Sequence, residues 1–268
     1  MSQVAPINKY DVYNARMSLS MFDKLFFLDK TDATLFVDYG CADGTLLKHL
    51  NDYLPEAILV GYDNDSNMLN HAIKNLPPPK AAFYSNWEDL VDYTRNPPKS
   101  RWPNAPKRAL ILSSIVHEVY HYSEPKEIDT FWTKIFAAEF DYIIIRDMIP
   151  SETIDRSSDV NDVMKVLRKY RDTKELKDFE RRWGSITNNK NLAHFLLKYT
   201  YTTPNWDREV KENYIPLYFE DLLAMIPNQY SVLFSEHNVL PFIKRQVRTD
   251  FGIDMKDAIH LKMVLERT

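Results

Sequence analysis

Several ingredients are scarce in this chain, and each scarcity narrows what it can be. Among 268 residues there is one cysteine, Cys41, so no disulfide framework can form, and the composition suits a reducing compartment such as the cytoplasm. No apolar run approaches the about 18 residues that a membrane helix needs, so no span is expected. The opening Met-Ser-Gln-Val-Ala-Pro has neither a basic start nor an apolar stretch, so no secretory signal is read. Positive charge is not in excess: 34 Lys and Arg face 38 Asp and Glu, a formal net charge of −4. Global electrostatics therefore do not favour nucleic acid, although a local basic patch stays open. No cluster of His, Asp and Glu is read at metal-ligand spacing, and no metal is expected. Glycine is rare as well, five in all, yet Gly40 and Gly44 fall within one short turn.

What is present is an ordinary globular mixture, 44% hydrophobic and 27% charged, enough for one large domain or a domain with an insertion. The informative stretch is Leu35-Phe-Val-Asp-Tyr-Gly-Cys-Ala-Asp-Gly-Thr-Leu-Leu-Lys-His-Leu50, followed by Gly61-Tyr-Asp63. An apolar run ends in Asp38, breaks at Gly40 and restarts as a helix near Gly44. The next apolar run, Ala57–Tyr62, ends at the acid Asp63. Strand, glycine turn, helix and acid-capped strand form the first half of a nucleotide-cofactor fold. A dinucleotide fingerprint needs glycine at 40, 42 and 45, but Ala42 and Thr45 stand at the last two, so G-x-G-x-x-G fails.

Strand and helix patterns alternate to about residue 150, which predicts a doubly wound parallel α/β sheet. Residues 8–29 have helical spacing and form a leading helical segment, 1–31. The proline-rich stretch 95–107, with Trp102, reads as a surface loop. Residues 151–216 fit no strand; Val163, Leu167, Phe179, Phe195 and their neighbours predict three or four short helices inserted after the fifth strand. A helix at 217–225 then leads to Tyr230–Phe234 and His260–Leu265, read as antiparallel closing strands of 217–268.

The stretch D-x-G-x-A-x-G resembles motif I of the class I S-adenosylmethionine (SAM)-dependent methyltransferases, with Ala42 where most members carry glycine. The resemblance covers residues 32–150 well and the rest in outline. It implies a mostly parallel seven-stranded sheet and SAM as cofactor, with the insertion as a substrate lid. It also places Asp38, Gly40, Cys41, Ala42 and Gly44 along the methionine end of SAM, with Asp63 and Asn64 at its ribose. Met68 would flank the adenine, and Asn86 and Trp87 stand where the family has an adenine-amino acceptor and its neighbour. Ser113 ends the fourth strand beneath the cofactor, and Tyr13 and Arg16 resemble residues that close over the methionine carboxylate.

Methyl transfer mainly needs alignment of acceptor and methyl carbon, with removal of one proton at most. Ser113-Ser-Ile-Val-His-Glu-Val-Tyr-His-Tyr122 offers His117 as a base, with Glu118 to orient it or hold a cationic acceptor. Arg146 and Asp147 end the fifth strand and are expected to pair with each other or to touch substrate. The basic residues from Lys165 to Arg182 interleave with acids, which predicts a salt-bridged exposed helix. No Asn-Pro-Pro-Tyr or Asp-Pro-Pro-Tyr follows the fourth strand, and Cys41 is misplaced for attack on a pyrimidine, so two DNA-methylating classes are disfavoured. A small-molecule O or N acceptor is the leading expectation. An RNA methyltransferase using the basic helices and a non-catalytic SAM-binding partner subunit are the alternatives; oligomeric state is not legible.

Overall fold

The computed structural model describes residues 20–97, 105–201 and 205–268. Its centre is a seven-stranded sheet in the order β3-β2-β1-β4-β5-β7-β6. β1 (Leu35–Tyr39), β2 (Ile58–Tyr62), β3 (Ala81–Tyr84), β4 (Arg108–Ser113) and β5 (Tyr142–Met148) are parallel. β6 (Tyr230–Asn238) and β7 (His260–Arg267) form an antiparallel pair, and β7 also runs antiparallel to β5. All five positions of β1 are buried, as expected of a central strand covered on both faces.

Helices cover both faces. α2 (Thr45–Tyr53) and α3 (Ser66–Asn75) connect β1 to β2 and β2 to β3; α4 (Trp87–Arg95) leads to β4, and α5 (Val116–Tyr122) and α6 (Pro125–Ala137) lead to β5. Leu46, Leu47 and Leu50 of α2 pack with Phe27, Phe36 and Leu59 on one face. Leu90 and Val91 of α4 and Phe131 and Ile135 of α6 pack with Val37, Val60 and Leu112 on the other. Fully burying one such side chain contributes about 1.5–3 kcal/mol, so these two layers dominate what holds the sheet. Chain order switches between β1 and β4, the topological switch point, where open α/β sheets take their ligands beyond the carboxyl ends of the strands.

Between Glu152 and Glu209 the regular elements among the described residues are a 3₁₀ turn at Glu152–Ile154, then α7 (Val160–Tyr170), α8 (Lys174–Trp183), α9 (Asn189–Lys198) and α10 (Trp206–Glu209). Phe179, Phe195 and Trp206 centre a core of their own, which also takes in Val247 and Phe251. Those last two belong to α12 (Pro241–Phe251), between β6 and β7 and preceded by α11 (Phe219–Met225). The sequence reading assigns no element to 241–251, although Pro241 at the first helical position and Gly252 after the last are ordinary start and stop signals. β6 is longer than expected and carries an irregularity between Val232 and Phe234. Of the leading segment, the described part holds one helical turn, α1 (Met21–Lys24). Tyr13, Arg16 and Trp102 lie outside the described residues. No helix among the described residues is long and apolar enough to cross a membrane.

Candidate active site

The turn after β1 is bent by left-handed backbone at alternate positions: Gly40 at φ 76°, Ala42 at φ 46° and Gly44 at φ 76°. Gly40 has a second reason to lack a side chain, since a Cβ there would lie 2.7 Å from Cδ1 of Ile115. The Gly40 and Cys41 N–H groups donate to the Tyr62 carbonyl at 2.8 and 2.9 Å, which ties the turn to the end of β2. Asp63 completes the tie. One carboxylate oxygen accepts the Ala42 N–H and the other the Asp65 N–H, both at 2.9 Å. Burial pushes the Asp63 carboxyl up, and these backbone donors oppose that shift. Asp65 accepts the Asn67 and Met68 N–H groups and so starts α3, fixing the segment that carries Asn64 and Met68.

Asp38, at the end of β1, is buried, and burial pushes its carboxyl up to about 7 against the pull of Lys24. Lys24 is buried as well; desolvation, with Arg146 adding to it, lowers its ammonium to about 8, while Asp38, Asp147 and Glu118 favour its charge. Cys41 is a buried thiol pushed up by burial and by Asp38 and Asp63, which makes it a packing residue and not a nucleophile. The Asn86 side chain caps α4 by accepting the Asp89 N–H at 3.0 Å; as an exposed amide it keeps a second lone pair on that oxygen. Trp87 turns inward, its ring 5.4 Å from Tyr39 and 5.7 Å from Tyr62, with the Lys134 ammonium 5.5 Å away. Ser113 Oγ is buried and accepts or donates no hydrogen bond among the described residues.

Past β4 the backbone bends again through Ser114, at φ 59°, whose N–H donates to the Arg146 carbonyl at 2.8 Å. This bend aims α5 so that His117 turns into the interior. Its Nδ1 lies 2.7 Å from Asp147 Oδ1 and its Nε2 3.2 Å from Glu212 Oε1. Asp147 also accepts the His117 and Met148 N–H groups. Burial works against charge on the ring, but Asp147 and then Glu212 outweigh it and hold the imidazole well above its ordinary range. Glu118 follows on the less buried side, its carboxyl pushed up to about 7 by desolvation. His121, one turn further along α5, is lowered by desolvation against the pull of Glu212.

The expected pairing of Arg146 with Asp147 does not occur. Successive strand residues point to opposite faces, so the two side chains part. Arg146 Nε donates to Asp23 at 2.9 Å and its Nη1 to Ser114 Oγ at 2.9 Å, whereas Asp147 turns to His117. Asp23 also holds Lys262 at 2.7 Å. Some of the basic residues of α7 and α8 pair along their helix as expected, Lys165 with Asp162, Lys174 with Asp178 and Arg181 with Asp178, whereas Lys169, Lys177 and Arg182 donate to backbone carbonyls.

Glu212 carries no sequence signal of its own; it comes from the far end of the helical insertion. The neighbouring His117-Glu118-Val119-Tyr120-His121 does carry one. H-E-x-x-H on a helix sets two histidines, here His117 and His121, at metal-ligand spacing, a signal that the sequence reading passes over, although the ligand atoms that converge belong to a different set without His121. His117, Glu118 and Glu212 each offer a ligand atom, and these atoms lie within 4.8 Å of one another.

No protein-family model matches the chain, and no curated protein matches it in sequence. Solved structures match in fold. The plantazolicin methyltransferase BamL, crystallised with a triazolic desmethylPZN analog and SAH, aligns over 97% of this chain and 88% of its own, with a TM-score of 0.52 at 14% identity. A SAM-dependent methyltransferase from Anabaena variabilis aligns over 99% and 98%, with a TM-score of 0.51 at 12% identity. The fold is that of the class I methyltransferases.

Proposed function

We propose that this chain is a SAM-dependent methyltransferase whose cofactor lies across the Gly40–Gly44 turn. The observation that carries the reading is the junction of Asp63 with the turn. It places an acid at the end of β2 beside a backbone bent to approach a ligand, at the topological switch point. In this reading Asp63 accepts from the ribose hydroxyls beside Asn64, and Asp38 faces the methionine ammonium. The backbone of Gly40, Cys41, Ala42 and Gly44 passes beneath the amino-acid tail. Met68 and Asn86 border the adenine, Ser113 lies below the sugar, and Trp87 supports the turn through Tyr39 and Tyr62. Tyr13 and Arg16 keep the role the family resemblance implies.

The acceptor approaches from the side of α5, where Glu118 is the more accessible group and His117 lies buried beside it. In-line displacement at a sulfonium methyl leaves the protein two tasks, alignment and management of one proton. The two carboxylates around His117 favour a charged ring, which donates and orients and has no free lone pair. Asp147 holds that orientation. A small-molecule O or N acceptor fits better than RNA, because several basic side chains of α7 and α8 are already engaged by acids on their own helices.

Calorimetry with SAM and with its demethylated product tests the cofactor assignment directly. Micromolar association that Asp63→Ala abolishes supports it; no association of either compound with folded protein removes it. Transfer of a labelled methyl group to any acceptor by the purified chain excludes a purely non-catalytic SAM-binding role.

A further inference from the structure

We infer that His117, Glu118 and Glu212 form a binding site for one divalent first-row transition cation, of the Mn2+ or Zn2+ class. Nothing in the methyl-transfer reading requires such an ion. The site stands on its own geometry, and only its use in turnover rests on that reading.

The ligand atoms are one imidazole nitrogen and two carboxylate oxygens, mutually within 4.8 Å. An ion bound at about 2.0–2.2 Å from each needs its ligand atoms roughly 3–4.4 Å apart, so the side chains draw in slightly to meet it. His117 Nε2 and Glu212 Oε1, now 3.2 Å apart, would become neighbours on the ion. The cation takes the place of the Nε2 proton, which leaves to solvent.

The surroundings match what a metal-bound histidine needs. Its second nitrogen, Nδ1, is held at 2.7 Å by Asp147, a fully buried carboxylate. Asp147 is itself fixed by the N–H groups of His117 and Met148. A carboxylate behind an imidazole fixes the tautomer and leaves Nε2 to bind the ion. Glu212 is held by its backbone too, since its carbonyl accepts from the buried Lys198 ammonium at 2.7 Å. Glu118 is the least buried of the three, so its carboxylate is the one best placed to close onto an ion.

Charge points the same way. Three carboxylates, Asp147, Glu118 and Glu212, surround one imidazole. A protonated ring brings these carboxylates one positive charge; a divalent ion brings two, beside the Lys198 and Arg208 cations that already neighbour Glu212, and adds coordination bonds that a proton cannot. One nitrogen with two oxygens suits Mn2+ or Zn2+ better than Ca2+ or Mg2+, which favour all-oxygen sets. Three protein ligands leave at least one position open, on the Glu118 side. In a methyltransferase that position would take the acceptor oxygen or nitrogen.

The test is calorimetric titration of the chelator-treated full chain with MnCl2 and, separately, ZnCl2, without SAM. Visible absorption of the Co2+ form reports the ligand set. The expected result is about one ion per chain, weakened tenfold or more by Glu118→Gln and by Glu212→Gln. Asp147→Asn should weaken it about 10–100-fold, as a positioning residue does. Thermal unfolding of each variant controls for folding; should Glu212→Gln misfold, the less buried Glu118→Gln decides. Absence of binding in the wild-type chain overturns the proposal. So does binding that Glu118→Gln leaves unchanged, which would place the ion elsewhere. Because SAM association is measured separately, loss of this site leaves the cofactor assignment standing or falling by itself.

Discussion

The Asp63 carboxylate accepts the backbone N–H of Ala42 at 2.9 Å, joining the ends of two strands through one side chain. The same group that would grip a ribose therefore also holds the turn in its bent form. A hydrogen bond to a charged group contributes about 1.5–3 kcal/mol.

Asp63→Ala is expected to weaken SAM and SAH by roughly 100-fold or more, the loss of about two such bonds. Asp63→Asn keeps an acceptor and should fall between the two. Isothermal calorimetry on the three proteins checks the order; equal affinities would detach Asp63 from the site.

Ala42 sits at φ 46°, where a Cβ costs about 1–2 kcal/mol. Ala42→Gly removes that strain but adds about 0.5–1 kcal/mol of chain entropy to overcome. A small net gain in urea stability, about 0.5–1 kcal/mol, is expected. Ala42→Val should lower stability, because a β-branched side chain tolerates this backbone least.

Asp23 is a hub for Arg146 at 2.9 Å and Lys262 at 2.7 Å, all three mostly buried. Its neighbours hold its carboxyl below the ordinary range even though desolvation opposes them. Asp23→Asn leaves two buried cations facing each other, and Lys24 stands close to Arg146 as well. A loss of about 3–5 kcal/mol follows, read by urea unfolding. If removing Asp23 costs under 1 kcal/mol, the cluster is wetter than its burial indicates.

His260 is buried in β7, and desolvation, with Arg146 adding to it, lowers its ring to about 3. The unfolded chain binds this proton at about 6.5. Between pH 6.5 and 3 the unfolded state therefore holds more protons than the native one, so stability falls as pH falls through that window. The slope reaches about 1.4 kcal/mol per pH unit. His260→Leu should flatten this limb relative to wild type. Identical acid limbs in urea melts at pH 4, 5 and 7 would show that His260 does not titrate on unfolding.

Much of the frame is legible in the residue order, because local rules govern it. Runs such as Leu35–Val37 and Tyr142–Ile145 are apolar stretches that a doubly covered parallel strand demands, and both lie in strands where their pattern predicts them. Gly40 and Gly44 announce the turn because few residues accept its backbone. The charge pattern of α7 and α8 announces their ion pairs. α12 is legible too, in Pro241, Gly252 and the helical spacing of Ile243, Val247 and Phe251; what no local period reveals is that these residues face the helical insertion.

The centre of the candidate site belongs to the other category. Sequence alone determined that His117 and Glu118 follow the fourth strand and that Asp147 ends the fifth. Strand pleat decided that Asp147, and not Arg146, turns toward His117. Packing of the insertion against α5 decided that Glu212 arrives at Nε2. Local spacing sets which residues share a face; only long-range burial brings a carboxylate from another segment within 3.2 Å of a ring. That approach depends on the whole core beneath it.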